Sequence, residues 1–342
     1  MYRTARRSLF ASGFALTTAL MFSGLAGNAD AADLTPASLR LKWLPQAQFA
    51  GYYVAKAKGF YSDEGIALTI NPGGPNIIAE NMVGSNTDTF GHGGGMASLL
   101  QAREKGLPIV GIGMLFQETP YRLVALEKAG IKKFTDLKGK TVSTWFTGPQ
   151  FMVQAMLKAN GIDRDVNLEA QANSMVPFID GKVDVATVTV YNELLILKRR
   201  NVTPAVMFNP ADMGINLANE AIIVNESTIK DNPKLVQGFL RASLKGWVYA
   251  MTHKDEALDI LLKEVPTLNR TEQMETLEAL QPLLTYGAGG SKGIGYIDRD
   301  NLAFAQKFLL DNGALKKAVD LDSSINTTFW DKVPASDKVI PR

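Results

Sequence analysis

Four short stretches of this chain carry residues suited to gripping a small planar molecule. In Trp43-Leu44-Pro45-Gln46-Ala47-Gln48 an indole stands beside two amides, Trp43 with Gln46 and Gln48. Tyr52 follows among aromatic residues that recur at helical spacing. The alternative is that Trp43 merely closes a core strand. His92-Gly93-Gly94-Gly95 precedes an apolar helix-like run from Met96. Glycines there let the backbone approach a ligand, and free N–H groups at a helix start favour acceptor atoms or anions; a purely structural turn explains the pattern equally well. The GK[ST] ending of a phosphate loop is missing. Trp145-Phe146-Thr147-Gly148-Pro149 repeats the arrangement further along, and its two rings offer stacking surface, although core packing also accounts for Phe146. Tyr191-Asn192-Glu193 follows a very apolar strand, where an unpaired carboxylate is costly. Glu193 would accept hydrogen bonds from an exocyclic amine and a ring N–H, and would disfavour nitrate or a sulfonate. The competing account is a solvated glutamate favoured by the helix dipole. The nearest following cation is Lys198, more than a helical turn away, so a ligand's N–H donors would supply the missing partners.

Other chemistries are excluded by composition. The chain has no Cys and two His, His92 and His253, so no transition-metal site is expected. No nucleophile elbow or other catalytic set is readable, and neither an enzyme activity nor a cofactor is expected.

The elements that must position these residues alternate in type. Leu39, Leu41 and Trp43 alternate with Arg40 and Lys42, the period of a strand with one buried face, and Pro45 forbids its continuation. A helix follows over 46–60, then a strand over 66–70. Further strands are expected over 87–91, 108–115, 121–126, 141–145, 167–171, 183–190, 202–208 and 221–224, with helices between most of them. This alternation predicts an α/β protein with two mostly parallel sheets. The remainder is helical: 233–252, 254–263, 271–280 and 299–312, with a glycine-rich loop at 287–295.

At 342 residues with 46% hydrophobic content the chain can build two domain-sized cores. Residues 1–31 read as an export signal: Arg3, Arg6 and Arg7 precede an apolar run over 9–25, and Ala29-Asp30-Ala31 supplies small residues for cleavage near Ala31. Arg6-Arg7-Ser8-Leu9-Phe10 fits a twin-arginine signal and an ordinary secretory signal alike. Removing three Arg and one Asp from 36 basic and 34 acidic residues leaves 33 of each, a neutral mature chain without a general nucleic-acid surface. With no Cys there is neither a disulfide nor an N-terminal lipid-anchor site, so a soluble protein of an enclosed compartment, the periplasm, is expected.

KWLPQAQFAGYYVAKAKGFYSDEG, residues 42–65, resembles the first motif of periplasmic solute-binding proteins that capture thiamine pyrimidine precursors; related branches take riboflavin, nitrate or sulfonates such as taurine. The resemblance spans nearly the whole mature chain. It implies the two-lobe type II periplasmic-binding-protein fold, a discontinuous first lobe of 32–121 and 222–342 and a second of 122–221. It further implies a small-molecule ligand between the lobes and an ABC permease in the inner membrane as partner; a monomer is expected, and the rings of Trp43 and Trp145, on opposite lobes, are suited to sandwich a planar ligand. Glu193 matches the acidic position of pyrimidine-binding relatives. Eukaryotic synthases of the thiamine pyrimidine share the motif but carry a cysteine-rich cluster, and a Lys and a His where this chain has Gly94 and Ser98.

Overall fold

The computed structural model describes residues 34–341; the expected export signal and its cleavage point lie outside them. Two five-stranded sheets organise the chain. The first has the order β2-β1-β3-β10-β4, built from β1 (Thr35–Arg40), β2 (Ile66–Asn71), β3 (Phe90–Gly95), β4 (Ile109–Phe116) and β10 (Asn219–Asn225). The second has the order β7-β6-β8-β5-β9, from β5 (Tyr121–Ala125), β6 (Thr141–Thr144), β7 (Asn167–Ala170), β8 (Val185–Thr189) and β9 (Val206–Phe208).

Both sheets are mixed, and in the same way. β1 runs parallel to β2 and β3, and β6 parallel to β7 and β8. The strand inserted antiparallel is the first one after each crossing: β5 between β8 and β9, β10 between β3 and β4. The chain crosses between β4 and β5 and returns between β9 and β10. Tyr121 therefore already belongs to the second sheet, and Asn219, Glu220 and Ala221 to the first, close to the divisions expected at 121/122 and 221/222.

Local chemistry explains where the elements depart from expectation. β1 stops at Arg40, so Trp43 lies in the loop. β3 runs on through the glycines because β10 pairs with it, Ala221 opposite Gly93 and Asn219 opposite Gly95; glycine's weak strand preference hides this in the sequence. β9 is short, since Pro204 has no N–H to give a ladder.

The C-terminal half closes over the first sheet. Helix Pro233–Thr252 starts with Pro at its first turn and with Asn232 Oδ1 accepting from Leu235 N at 3.1 Å. It crosses helix Ala50–Ala57 where both are glycine. A Cβ on Gly51 would sit 2.3 Å from Trp247 Cγ, and one on Gly246 2.2 Å from the Gly51 carbonyl oxygen. Trp247 is fully buried, and burying such a ring stabilises by about 3 kcal/mol. A methyl at Gly51 would drive the helices apart. Trp43 packs against both large apolar clusters, one under these helices and one reaching into the second sheet.

Candidate functional site

The cleft forms where parallel strands of both sheets end, the position at which open α/β sheets bind ligands. Its enclosed space is small, about 40 Å³ for the centres of water-sized molecules. The loop after β1 contributes Lys42, Trp43, Gln46 and Gln48; the loop after β6 contributes Trp145, Thr147 and Pro149; the end of β8 contributes Thr189, Tyr191, Asn192 and Glu193. Tyr121 closes the set from the start of β5.

The first loop is tied down at several points. Gly73 N donates to the Trp43 carbonyl at 3.0 Å, and Ala47 N to Gln273 Oε1 at 2.7 Å. Gln48 Nε2 donates to Glu220 Oε2 at 3.0 Å, and Gln46 Nε2 to Gln48 Oε1 at 2.8 Å. Because Glu220 only accepts, this relay fixes both amide orientations. The Gln46 side-chain oxygen, Oε1, accepts no bond among the described residues.

The aromatic wall differs from a sandwich. Trp43 and Trp145 meet edge-to-face, centroids 5.8 Å apart at 71°, whereas two stacking gaps would separate parallel rings by roughly 7 Å. A planar ligand in this geometry lies on one indole face and against the other's edge. Trp145 is buried, and its indole N–H has no partner among the described residues.

Glu193 is buried at the start of helix Glu193–Arg199. The bonds expected from a ligand come instead from nearby protein groups: Thr189 N donates to Oε2 at 3.0 Å, Thr189 Oγ1 to the same oxygen at 2.6 Å, and Asn192 Nδ2 to Oε1 at 2.8 Å. Burial pushes its pKa up, and the Thr189 bonds offset part of that rise. Oε1 keeps a lone pair for a further donor.

Behind the wall lies a buried ionic group. Glu220 pairs with Lys42 Nζ and His92 Nε2. Burial would raise its pKa, but Lys42 and His92 prevail and hold it at about 2. Burial works to lower the Lys42 pKa, yet Glu220 and Tyr121 outweigh it and bring it to about 12. His92 is depressed by burial, with Glu220 pulling the other way. A neutral ring fits its partners, Nε2 donating to Glu220 while Nδ1 accepts from Tyr52 Oη at 2.9 Å.

Of the residues predicted for ligand contact, Trp43, Gln46, Gln48, Trp145, Tyr191, Asn192 and Glu193 come together at the cleft wall. Tyr52 and His92 stand behind it, fully buried. Gly93, Gly94 and Gly95 lie within β3, and their missing side chains serve internal packing. A Cβ on Gly93 would be 2.7 Å from Glu80 Oε1, on Gly94 2.4 Å from Ser98 Oγ, and on Gly95 2.7 Å from Asn219 Cα. Gly94 N donates to Glu80 rather than standing free. Phe146 is 46% exposed and is not among the residues that line the cleft. Sequence reading passed over Tyr121, Thr147, Pro149, Thr189 and Glu220; only Lys42, beside Trp43, carried a signal. Among the described residues no cluster of His, Asp or Glu could hold a metal, and no helix is long and apolar enough to cross a membrane.

Two mixed sheets of this topology, with a cleft at their facing edges, define the periplasmic-binding-protein fold. The periplasmic aliphatic sulphonate-binding protein SsuA of Escherichia coli superposes with a TM-score of 0.64 at 19% identity, over 86% of this chain and 93% of that one. The chain belongs to the NMT1/THI5 like family, whose profile matches residues 46–257. It is 31% identical over 309 residues to the riboflavin-binding protein RibY of Chloroflexus aurantiacus, covering 86% of each chain. It is 29% identical to the 4-amino-5-hydroxymethyl-2-methylpyrimidine phosphate synthase of Legionella pneumophila, over 68% of this chain and 74% of that protein. To the formylaminopyrimidine-binding protein of Halalkalibacterium halodurans it is 25% identical, over 67% and 70%.

Proposed function

We propose that the protein is the solute-binding component of an ABC importer and takes a planar nitrogen heterocycle into the cleft, a thiamine pyrimidine precursor being the favoured ligand. One observation carries this reading: beside two indoles the wall combines unused donors, Trp145 N–H and one Lys42 N–H, with unused acceptors, Gln46 Oε1 and Glu193 Oε1. Alternating donors and acceptors on an aromatic wall match the edge of an amino-substituted pyrimidine. The small volume favours one ring. Riboflavin is the second reading, favoured by the similarity to RibY along 86% of both chains.

Binding without chemistry is supported by the absence of Cys, and by Gly94 and Ser98 where the resemblance places a Lys and a His in the synthases. In this reading the chain is exported, cleaved near Ala31, and works as a monomer in the periplasm. Its two lobes meet at the cleft, and it delivers to a permease in the inner membrane. Mass spectrometry of small molecules released from the denatured protein, followed by calorimetry with hydroxymethylpyrimidine, formylaminopyrimidine, riboflavin and taurine, tests it. A heterocycle should be recovered and bind; taurine binding tightly while none of the three heterocycles binds would overturn the reading.

A further inference from the structure

We propose that Glu220 determines the charge specificity of the cleft: by cancelling Lys42 from behind the wall, it converts a potential anion site into one for neutral heterocycles. This rests on the heterocycle reading and deepens it.

The argument begins with the backbone. Three non-glycine residues among those described have positive φ, and two are asparagines, which tolerate that region. The third is Glu220, at φ +61. It stands between two regularly paired residues of β10, Asn219 opposite Gly95 and Ala221 opposite Gly93. Glycine would suit this conformation, so retaining a long charged side chain there points to a task for that side chain.

Its carboxylate is fully buried and has no capacity left for a ligand. Oε1 accepts from Lys42 Nζ and, at 3.5 Å, from Tyr191 Oη; Oε2 accepts from His92 and, at 3.0 Å, from Gln48 Nε2. Lys42, Gln48 and Tyr191 all line the cleft. Glu220 is thus a positioning residue, acting through the three groups it holds. Lys42 is the only Lys or Arg on that wall, and its ammonium keeps one N–H beyond those directed to Glu220 and Tyr121. Left unbalanced in a buried cleft, that cation would attract a carboxylate or sulfonate strongly. With Glu220 beside it the N–H still donates, but the net charge is gone, and Glu193 adds acidity on the opposite side.

A matched pair of planar probes isolates charge from shape: benzenesulfonate, an anion, and benzenesulfonamide, its neutral near-isostere. Affinities for both are read by calorimetry, alongside hydroxymethylpyrimidine and riboflavin on the wild type. The wild type should prefer the sulfonamide. Glu220→Gln should move the sulfonate-to-sulfonamide affinity ratio about tenfold or more toward the anion, and added salt should weaken the gain. Lys42→Gln should move the ratio the opposite way, and it reports independently if Glu220→Gln does not fold. Mere loosening of the cleft would change both probes together and leave the ratio still. An unchanged ratio in the variants, or a wild type preferring the sulfonate, overturns the proposal. If the wild type prefers the sulfonamide yet binds neither heterocycle, the heterocycle reading fails by itself.

Discussion

Glu193 and His92 show how a residue's surroundings reassign its role. Glu193 looks from sequence like a charge waiting for a ligand, but Thr189, four residues earlier, and Asn192 already meet three of its acceptor sites. The remaining site on Oε1 is the one a ligand amine can use. Glu193→Gln keeps the oxygen facing Thr189 and turns an NH2 toward Asn192 and the ligand. It should weaken hydroxymethylpyrimidine by about one to two decades, the value of a hydrogen bond to a charged group. Unaltered affinity in calorimetry would remove Glu193 from recognition. His92, which the sequence offers for ligand contact, instead buttresses Glu220. Because burial depresses its pKa, the unfolded chain binds the extra proton first as pH falls below about 6.5. Stability therefore drops on acidification, by about 2 kcal/mol between pH 6.5 and 5 if the folded ring stays neutral. Glu220, held at about 2, adds stability above the ordinary glutamate range that is lost as pH falls toward 2. The raised carboxyls of Glu80 and Glu193 act in the opposite sense, favouring the fold as pH drops toward 4.5. Comparing His92→Gln with the wild type isolates the imidazole. The variant's melting temperature relative to wild type should rise steadily from pH 7 to 5, and parallel curves would contradict a neutral His92.

At the scale of elements, what was legible followed periodicity and what was not depended on partners distant in sequence. The strands, the helix starting at Pro233 and the Trp43 loop announce themselves through alternation, capping and proline. The extension of β3 through three glycines does not, because it exists only where β10 lies alongside. Glu220 had no sequence signal, since its importance arises from residues 29 to 178 positions away. Phe146 was misplaced for a related reason: a ring next to Trp145 looks equivalent, but successive side chains at a strand end point in different directions. The same dependence makes the Trp43 loop vulnerable from outside the cleft. A Cβ on Gly73 would meet the Leu41 carbonyl oxygen at 2.1 Å and Trp43 N at 2.5 Å, all of it backbone that cannot rotate away. Gly73→Ala should displace the loop, destabilise the fold by about 1–3 kcal/mol, and weaken the ligand recovered from the protein at least tenfold, although Gly73 is not part of the cleft wall. Denaturant melts and calorimetry on this variant check both numbers, and wild-type values in both would show that the loop absorbs the methyl.

At the scale of the molecule, the two sheets meet beneath the cleft around a narrow cavity lined by Gly94, Ser98, Gly148 and Pro149. The helix after β3, Met96–Glu104, and the helix after β6, Pro149–Ala159, bring their glycine-led starts together around Ser98. Ser98 is buried, and its Oγ would lie 2.4 Å from a Cβ on Gly94 and 2.7 Å from one on Gly148. The seam is narrow, and a long apolar side chain at Ser98 should part it. In the binding reading proposed above, a hinge closure around the ligand would be completed at this seam, and a wedge should act there. Ser98→Leu adds apolar bulk at the seam, beside Tyr121 and Pro149 of the wall, while replacing no residue of the wall itself. The apolar cluster around Met96 and Leu99 runs on into the second sheet, but the strand pairing of neither sheet involves Ser98, so far-ultraviolet circular dichroism should be unchanged, with overpacking lowering the melting temperature by roughly 2–8 °C. The ligand must then bind to lobes held slightly apart, and its contacts with Trp43 on one side and Trp145 on the other cannot both form. Affinity should fall about tenfold or more, and X-ray scattering should record a smaller ligand-induced decrease in radius of gyration than in the wild type. Ser98→Ala, which leaves the seam open to close, should bind like the wild type. Equal affinity for Ser98→Leu and wild type would show that the ligand is held without closure of this seam.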